Sequence, residues 1–209
     1  MVAQPTTVTD FFDDDQIRSV YESEVIDLIK EQTGASRVEI FDHTRRSSSL
    51  EQQQQWQIRE PADIVHNDYT AASGIKRLRD YFADKSEDVK ELLNGRFAII
   101  NVWRSMAGPV LDHPLAFCDG TTVKPDHLVP VERRAKERIG ELQTALYDAA
   151  QRWYYYPELQ MDEALLIKTF DSESSGVTRF TIHTSFKDPR AGTDIPPRQS
   201  LETRSLVFF

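Results

Sequence analysis

The run Phe97-Ala-Ile-Ile-Asn-Val-Trp103 constrains this chain most. It is almost wholly apolar, of strand length, and bounded by Asn94-Gly95 before it and by Gly108, Pro109 and Pro114 after it. A short apolar run between turn signals reads as a strand buried on both faces. Beyond it the chain keeps the same rhythm, with strand-like segments at 115–118, 142–147, 152–156, 164–170, 178–186 and 200–209. Ahead of it the period is helical. Ile17, Val20, Tyr21, Val25, Leu28 and Ile29 recur at threes and fours before Gly34, and a second helical pattern covers 74–94. Residues 37–41 alternate like a short strand, and the glutamine-rich stretch 44–57 has no apolar period and reads as a mobile loop. Short strands following helices predict a mainly β, α+β chain: an antiparallel sandwich or barrel with N-terminal helices packed on one side.

No repeat or linker divides the 209 residues, so 1–209 is expected to form a single domain. With 34 acidic against 25 basic residues the net charge is -9, which disfavours nucleic acid and an anionic membrane as main partners. No window approaches the ~18 uninterrupted apolar residues of a membrane span. The one cysteine, Cys118, reads as a small buried hydrophobe, and the first residues lack the basic and apolar regions of a secretory signal. The cytoplasm is therefore the expected compartment. A homodimer or a partner subunit stays open.

Two groups of residues could carry chemistry. His66 and Asp68 stand two apart in Ile64-Val-His-Asn-Asp-Tyr-Thr70, which has the pattern of a strand, so both project from one face. His183, on the strand-like segment 178–186, would complete two histidines and one carboxylate, the set that leaves open positions on non-haem Fe(II). H-x-D is also common by chance and equally describes a strand histidine bonded to an acid. The second group is Arg198, Ser200, Glu202 and Arg204, on one face of the last strand. A guanidinium fork with a hydroxyl suits the dicarboxylate 2-oxoglutarate, and surface ion pairing is the plain alternative. Asn101 and Arg104 could reach inward from their strand, Asn101 toward the co-substrate and Arg104 toward an anionic substrate, or be satisfied locally. The aromatics of 152–156 suit a pocket wall or ordinary sheet packing, and His43, His113 and His127 read as exposed.

The motifs Val65-His-Asn-Asp-Tyr-Thr70, Asn101-Val-Trp-Arg104, Pro114-Leu-Ala-Phe-Cys-Asp119, Arg152-Trp-Tyr-Tyr155, Asp162-Glu-Ala-Leu-Leu-Ile-Lys168, His183-Thr-Ser-Phe-Lys-Asp-Pro189 and Pro197-Arg-Gln-Ser-Leu-Glu-Thr-Arg204, in this order, resemble the AsaB-like hydroxylase/desaturase family. That group is related to cephalosporin methoxylation proteins and is frequent in fungal secondary-metabolite pathways. The resemblance implies a double-stranded β-helix, or jelly-roll, with iron held by His66, Asp68 and His183. It also implies 2-oxoglutarate held by Arg198 with Ser200, Arg204 being the runner-up. The implied activity is Fe(II)/2-oxoglutarate-dependent hydroxylation or desaturation of a small secondary metabolite. The chain departs from the family in Gln199, where Glu is usual, and is expected to lack an N-terminal segment that members carry. A methoxylation-pathway component of the same fold and a non-catalytic metabolite- or partner-binding member are the alternatives. A zinc hydrolase would leave Arg198 and Ser200 without a task.

Overall fold

The computed structural model describes residues 1–135, 138–176, 178–192 and 194–209. Strand β1 (Val2–Ala3) leads into α1 (Asp14–Gln16), a π-helical turn at Ile17–Tyr21 and α2 (Glu22–Thr33). Asp13 starts this helix by accepting from the amides of Asp15 and Gln16, and Gly34 stops it at φ 72°, a left-handed conformation that glycine adopts without a Cβ clash. Then come β2 (Arg37–Ser47), α3 (Leu50–Trp56), α4 (Ala71–Phe82), α5 (Val89–Asn94), β3 (Phe97–Ser105), β4 (Leu115–Cys118), β5 (Leu128–Ala135), β6 (Arg138–Ala145), β7 (Trp153–Tyr155), β8 (Glu163–Asp171), β9 (His183–Ser185) and β10 (Gln199–Phe208).

The main sheet has the order β1-β8-β3-β10-β2, antiparallel throughout, and faces a smaller sheet β7-β4-β9. A hairpin of β5 and β6 continues the smaller layer through single bridges, His66 to His183 and Asn67 to Gln143. This is the expected double-stranded β-helix, but its helices are not confined to one side as expected: the N-terminal helix covers one face of the main sheet and α4 packs against the other. The buried run sits at its centre: every residue of β3 is buried, and alternate residues serve opposite faces. Ala98, Ile100 and Val102 pack with Ile17, Tyr21, Val25, Leu28 and Ile29 of the N-terminal helix, each large apolar side chain contributing about 1.5–3 kcal/mol. On the other face Phe97 and Ile99 meet Leu78 and Phe82 of α4, whose Gly74 lies so close to the Phe170 ring that a Cβ would come within 2.3 Å of it. Further along that face Trp103 joins Leu115, Leu165 and Ile167.

Several sequence expectations need correction. The stretch 44–57 is ordered: β2 continues to Ser47, and α3 is capped by Ser49, which accepts from the Gln52 amide, and by Gln57 in left-handed conformation. The helical pattern 74–94 is two helices, α4 beginning at Ala71 after a Thr70–Ser73 capping box. Residues 64–70 form bridges at His66 and Asn67 rather than a strand, and of 178–186 only His183–Ser185 is strand. Strands β1 and β5 carry no sequence signal strong enough to be read, and β6 begins earlier than 142.

Candidate metal and co-substrate site

His66 and His183 face each other as a hydrogen-bonded antiparallel pair, each amide donating to the other's carbonyl at 3.0 and 2.8 Å. Their rings lie with centroids 4.5 Å apart. The short segment is rigid although it is no strand, because Asn67 points the other way and pins it. The Asn67 Nδ2 donates to the carbonyls of Tyr69 at 2.6 Å and Thr169 at 2.9 Å, and its backbone pairs with Gln143 in both directions. Asp68 follows, so ligand-capable atoms of His66, Asp68 and His183 all lie within 4.8 Å of one another, His66 Nε2 being 3.7 Å from Asp68 Oδ1.

Each side chain is oriented by a second interaction. Nδ1 of His66 donates to the carbonyl of Ile64 at 2.6 Å, and Nδ1 of His183 to that of Thr181 at 2.8 Å. A carbonyl can only accept, so the proton stays on Nδ1 and the Nε2 lone pair turns to the shared space. Burial and the neighbouring His183 push the His66 pKa down, which keeps that ring neutral. Burial alone would raise the Asp68 carboxyl, but Arg204, His183, His66 and Asn101 together hold it well below the usual range. Arg204 Nε at 3.1 Å and Asn101 Nδ2 at 2.8 Å both donate to Oδ2, leaving Oδ1 on the side of His66. Arg204 and Asn101 are cross-strand partners in the β10–β3 register, which is why both reach one oxygen. Two imidazoles and an ionised carboxylate, all braced from behind, fit a non-haem iron.

The same cavity is lined by His66, His183, Trp103, Arg198, Glu202 and Arg204. Arg198 is 3% exposed, donates from Nη1 to the His113 carbonyl at 2.6 Å, stacks over Trp103 at 5.2 Å, and has no partner for Nε. Burial and the nearby Arg46 draw its pKa down to about 9, so it remains charged at neutral pH. The Ser200 hydroxyl beside it is likewise buried without a partner. Unsatisfied buried donors on one face of one strand leave room for an anion to accept from them.

Two of the expected site residues stand elsewhere. Asn101 holds Asp68 rather than pointing at a co-substrate position. Arg104 projects from the opposite face of β3, fully buried, donating from one Nη to the carbonyls of Gln4 (2.7 Å) and Met161, with Phe11 and Tyr21 rings each 5.5 Å from its guanidinium carbon. Positions 101 and 104 differ by an odd number, and a strand sends them to opposite sides. Arg204, the runner-up for the carboxylate, is taken up by Asp68, Asp42 at 2.6 Å and Glu202. His43 is not exposed but held between Thr203 and Glu22 on the helix-covered face. Cys118 is buried, as expected. The aromatic run does both things weighed for it: β7 pairs with β4, and Tyr154 and Tyr156 line a second cavity of about 300 Å³ with Phe117, Leu165 and Thr181. Arg46 is hidden in the sequence because it lies in a polar stretch that reads as a loop, and because a bulge at Phe41, where the β2–β10 register shifts between Arg204 and Ser205, breaks the two-residue period of residues 37–41 before it.

A jelly-roll with a His-x-Asp and distal His constellation beside a buried arginine defines the class of iron- and 2-oxoacid-binding oxygenase folds. A family profile described as "Oxidoreductase/YMDC permease-like domain" matches residues 1–208, and among the described residues no helix is long and apolar enough to cross a membrane. The Fe(II)/2-oxoglutarate-dependent dioxygenase nvfI of Aspergillus novofumigatus is 37% identical over 194 residues, covering 90% of this chain and 66% of that protein. The hydroxylase/desaturase CTB9 of Cercospora beticola is 32% identical over 229 residues, covering all of this chain and 69% of that protein. A solved structure of the iron and alpha-ketoglutarate-dependent endoperoxidase NvfI superposes with a TM-score of 0.85 at 35% identity, over 94% of this chain and 71% of that one. The chain thus spans about two-thirds or less of the first curated relatives, 66% of one and 59% of another. It belongs to this family of hydroxylases/desaturases and Fe(II)/2-oxoglutarate-dependent dioxygenases.

Proposed function

We propose that residues 1–209 act as one domain, a non-haem Fe(II)/2-oxoglutarate-dependent oxygenase that hydroxylates or desaturates a small secondary metabolite. The observation that carries this reading is a braced His66–Asp68–His183 set whose two histidines line one cavity with Arg198, whose Nε has no partner. His66, Asp68 and His183 would hold the iron, which supplies oxygen activation coupled to oxidation of 2-oxoglutarate. Arg198 and Ser200 would receive the distal carboxylate of the co-substrate, a charge-assisted contact that a single buried guanidinium makes well. Arg204 and Asn101 fix the Asp68 carboxylate, and Trp103 with Leu115 gives the cavity an apolar wall. The metabolite is placed in the second cavity, whose Phe117 pairs with His183 across β4 and β9. Its walls are mostly apolar and aromatic, with Asp119 and Thr181 as polar points, and its size is near the lower end for small-molecule pockets, which suits a compact, largely apolar compound. The one cysteine, Cys118, is buried and carries no disulfide, which suits action in the cytoplasm. A homodimer or partner subunit is checked by light scattering of the purified chain.

The test supplies Fe(II), 2-oxoglutarate, ascorbate and oxygen and measures succinate, alone and with apolar metabolites of the neighbouring pathway. Succinate formation that rises with a metabolite is the expected result. Iron-loaded protein that forms none under any condition supports instead a metabolite-binding member without turnover.

A further inference from the structure

Strand β2 brings to the cavity one more cation, for which the chemistry above has no use. Arg46 lies directly opposite Ser200 in the β2–β10 register, so the two side chains leave the same face of the sheet, and Arg46 lines the cavity together with Arg198. It makes one hydrogen bond, from Nη1 to the Glu60 carbonyl at 2.8 Å. Arg198 also makes one side-chain hydrogen bond, to His113. Among the described residues neither guanidinium is paired with a carboxylate, whereas Arg204 between them and the metal ligands takes Asp42, Asp68 and Glu202. Burial lowers the pKa of both arginines, and Arg46 is the next cause for Arg198 after burial. Two like charges are therefore held near each other in a partly dry pocket, with Glu202 as the one acid on its wall. An unliganded protein gains nothing from this arrangement. A ligand carboxylate would neutralise it and would also satisfy the free Ser200 hydroxyl and Arg198 Nε.

We propose that Arg46 is a second guanidinium for the distal carboxylate of 2-oxoglutarate, forming with Arg198 and Ser200 a three-residue clamp across two neighbouring strands. The assignment rests on the co-substrate reading given under Proposed function and adds a residue that distinguishes a 2-oxodicarboxylate from a 2-oxomonocarboxylate.

The experiment titrates the full chain, anaerobically loaded with Fe(II), with 2-oxoglutarate and separately with pyruvate, which lacks the distal carboxylate. It compares the wild type with Arg46→Met and Arg46→Lys, and follows thermal unfolding of each without ligand. Loss of one charge-assisted contact should weaken 2-oxoglutarate binding on the order of 10- to 100-fold in Arg46→Met. Pyruvate binding and iron stoichiometry should stay unchanged, Arg46→Lys should recover part of the loss, and the unliganded Tm should hold or rise because a like-charge contact is gone. Equal 2-oxoglutarate affinity in wild type and Arg46→Met overturns the role of Arg46 alone. A fall for both acids together with a lower Tm shows Arg46 to be structural and also overturns it. A wild type that binds iron but not 2-oxoglutarate overturns the co-substrate reading itself, and the clamp with it.

Discussion

On the helix-covered face of the main sheet Arg104 is closed in by Phe11 and Tyr21 and donates to two backbone carbonyls; on the inner face Arg198 has one carbonyl, one ring and an open cavity in front of it. Both are buried arginines, one on β3 and the other immediately before the adjacent β10, and burial alone does not tell them apart. What differs is the surroundings. The Arg104 side belongs to a continuous apolar layer from Phe11 to Val207, where a guanidinium ties the segments carrying Gln4 and Met161 to the sheet. The Arg198 side interrupts the core with His66, His183, Glu202 and Arg204, polar groups placed where a ligand can complete them. One face therefore holds the fold together, and the other gives up apolar packing to bind.

This division can be broken most severely at the metal ligands. His66→Ala or His183→Ala removes one of three donors and should lower iron affinity by more than ~100-fold, the upper end for residues that only support ligands. Metal analysis after anaerobic loading checks this, with circular dichroism expected to show the fold intact. On the other face Arg104→Ala should do the reverse. It orphans the Gln4 and Met161 carbonyls and empties a packed site, costing about 2–4 kcal/mol in denaturant unfolding while iron stoichiometry stays at the wild-type value. Iron loss without destabilisation would move Arg104 to the binding face. Asn101→Ala is the finest probe, since it removes one hydrogen bond from an uncharged donor to Asp68 Oδ2 and leaves the charged donor Arg204 in place. Its expected effect is about tenfold in iron affinity, with little change in the folding midpoint.

The same division explains which parts of the molecule the sequence makes legible. The apolar faces announce themselves: the helical period of Ile17 to Ile29 and the run Phe97 to Trp103 exist because those side chains meet one continuous core. His66, Asp68 and His183 were legible as a spacing on strand-like segments and as motifs in order, and Arg198 with Ser200 as one strand face. Where the inner face is polar the pattern vanishes. Residues 42, 44 and 46 of β2 are Asp, Thr and Arg because they face Arg204 and the cavity, so the strand looks like a loop and Arg46 is hidden in it. Asn67 reads as filler between two ligands, yet its bonds to Tyr69 and Thr169 supply the rigidity that pairing supplies elsewhere. Arg104 shows the opposite failure, since a motif places it beside Asn101 while strand parity sends it to the other face.

The central claim is that one cavity holds both iron and a 2-oxodicarboxylate. It is tested most directly by adding 2-oxoglutarate to the Fe(II)-loaded protein without oxygen and recording the visible spectrum of wild type and Arg198→Met. A new metal-to-ligand absorption band that saturates with 2-oxoglutarate in the wild type, and needs a far higher concentration in Arg198→Met, is the predicted result. Iron-loaded wild type whose spectrum does not respond to 2-oxoglutarate, or an Arg198→Met variant that responds at the same concentration, would contradict it.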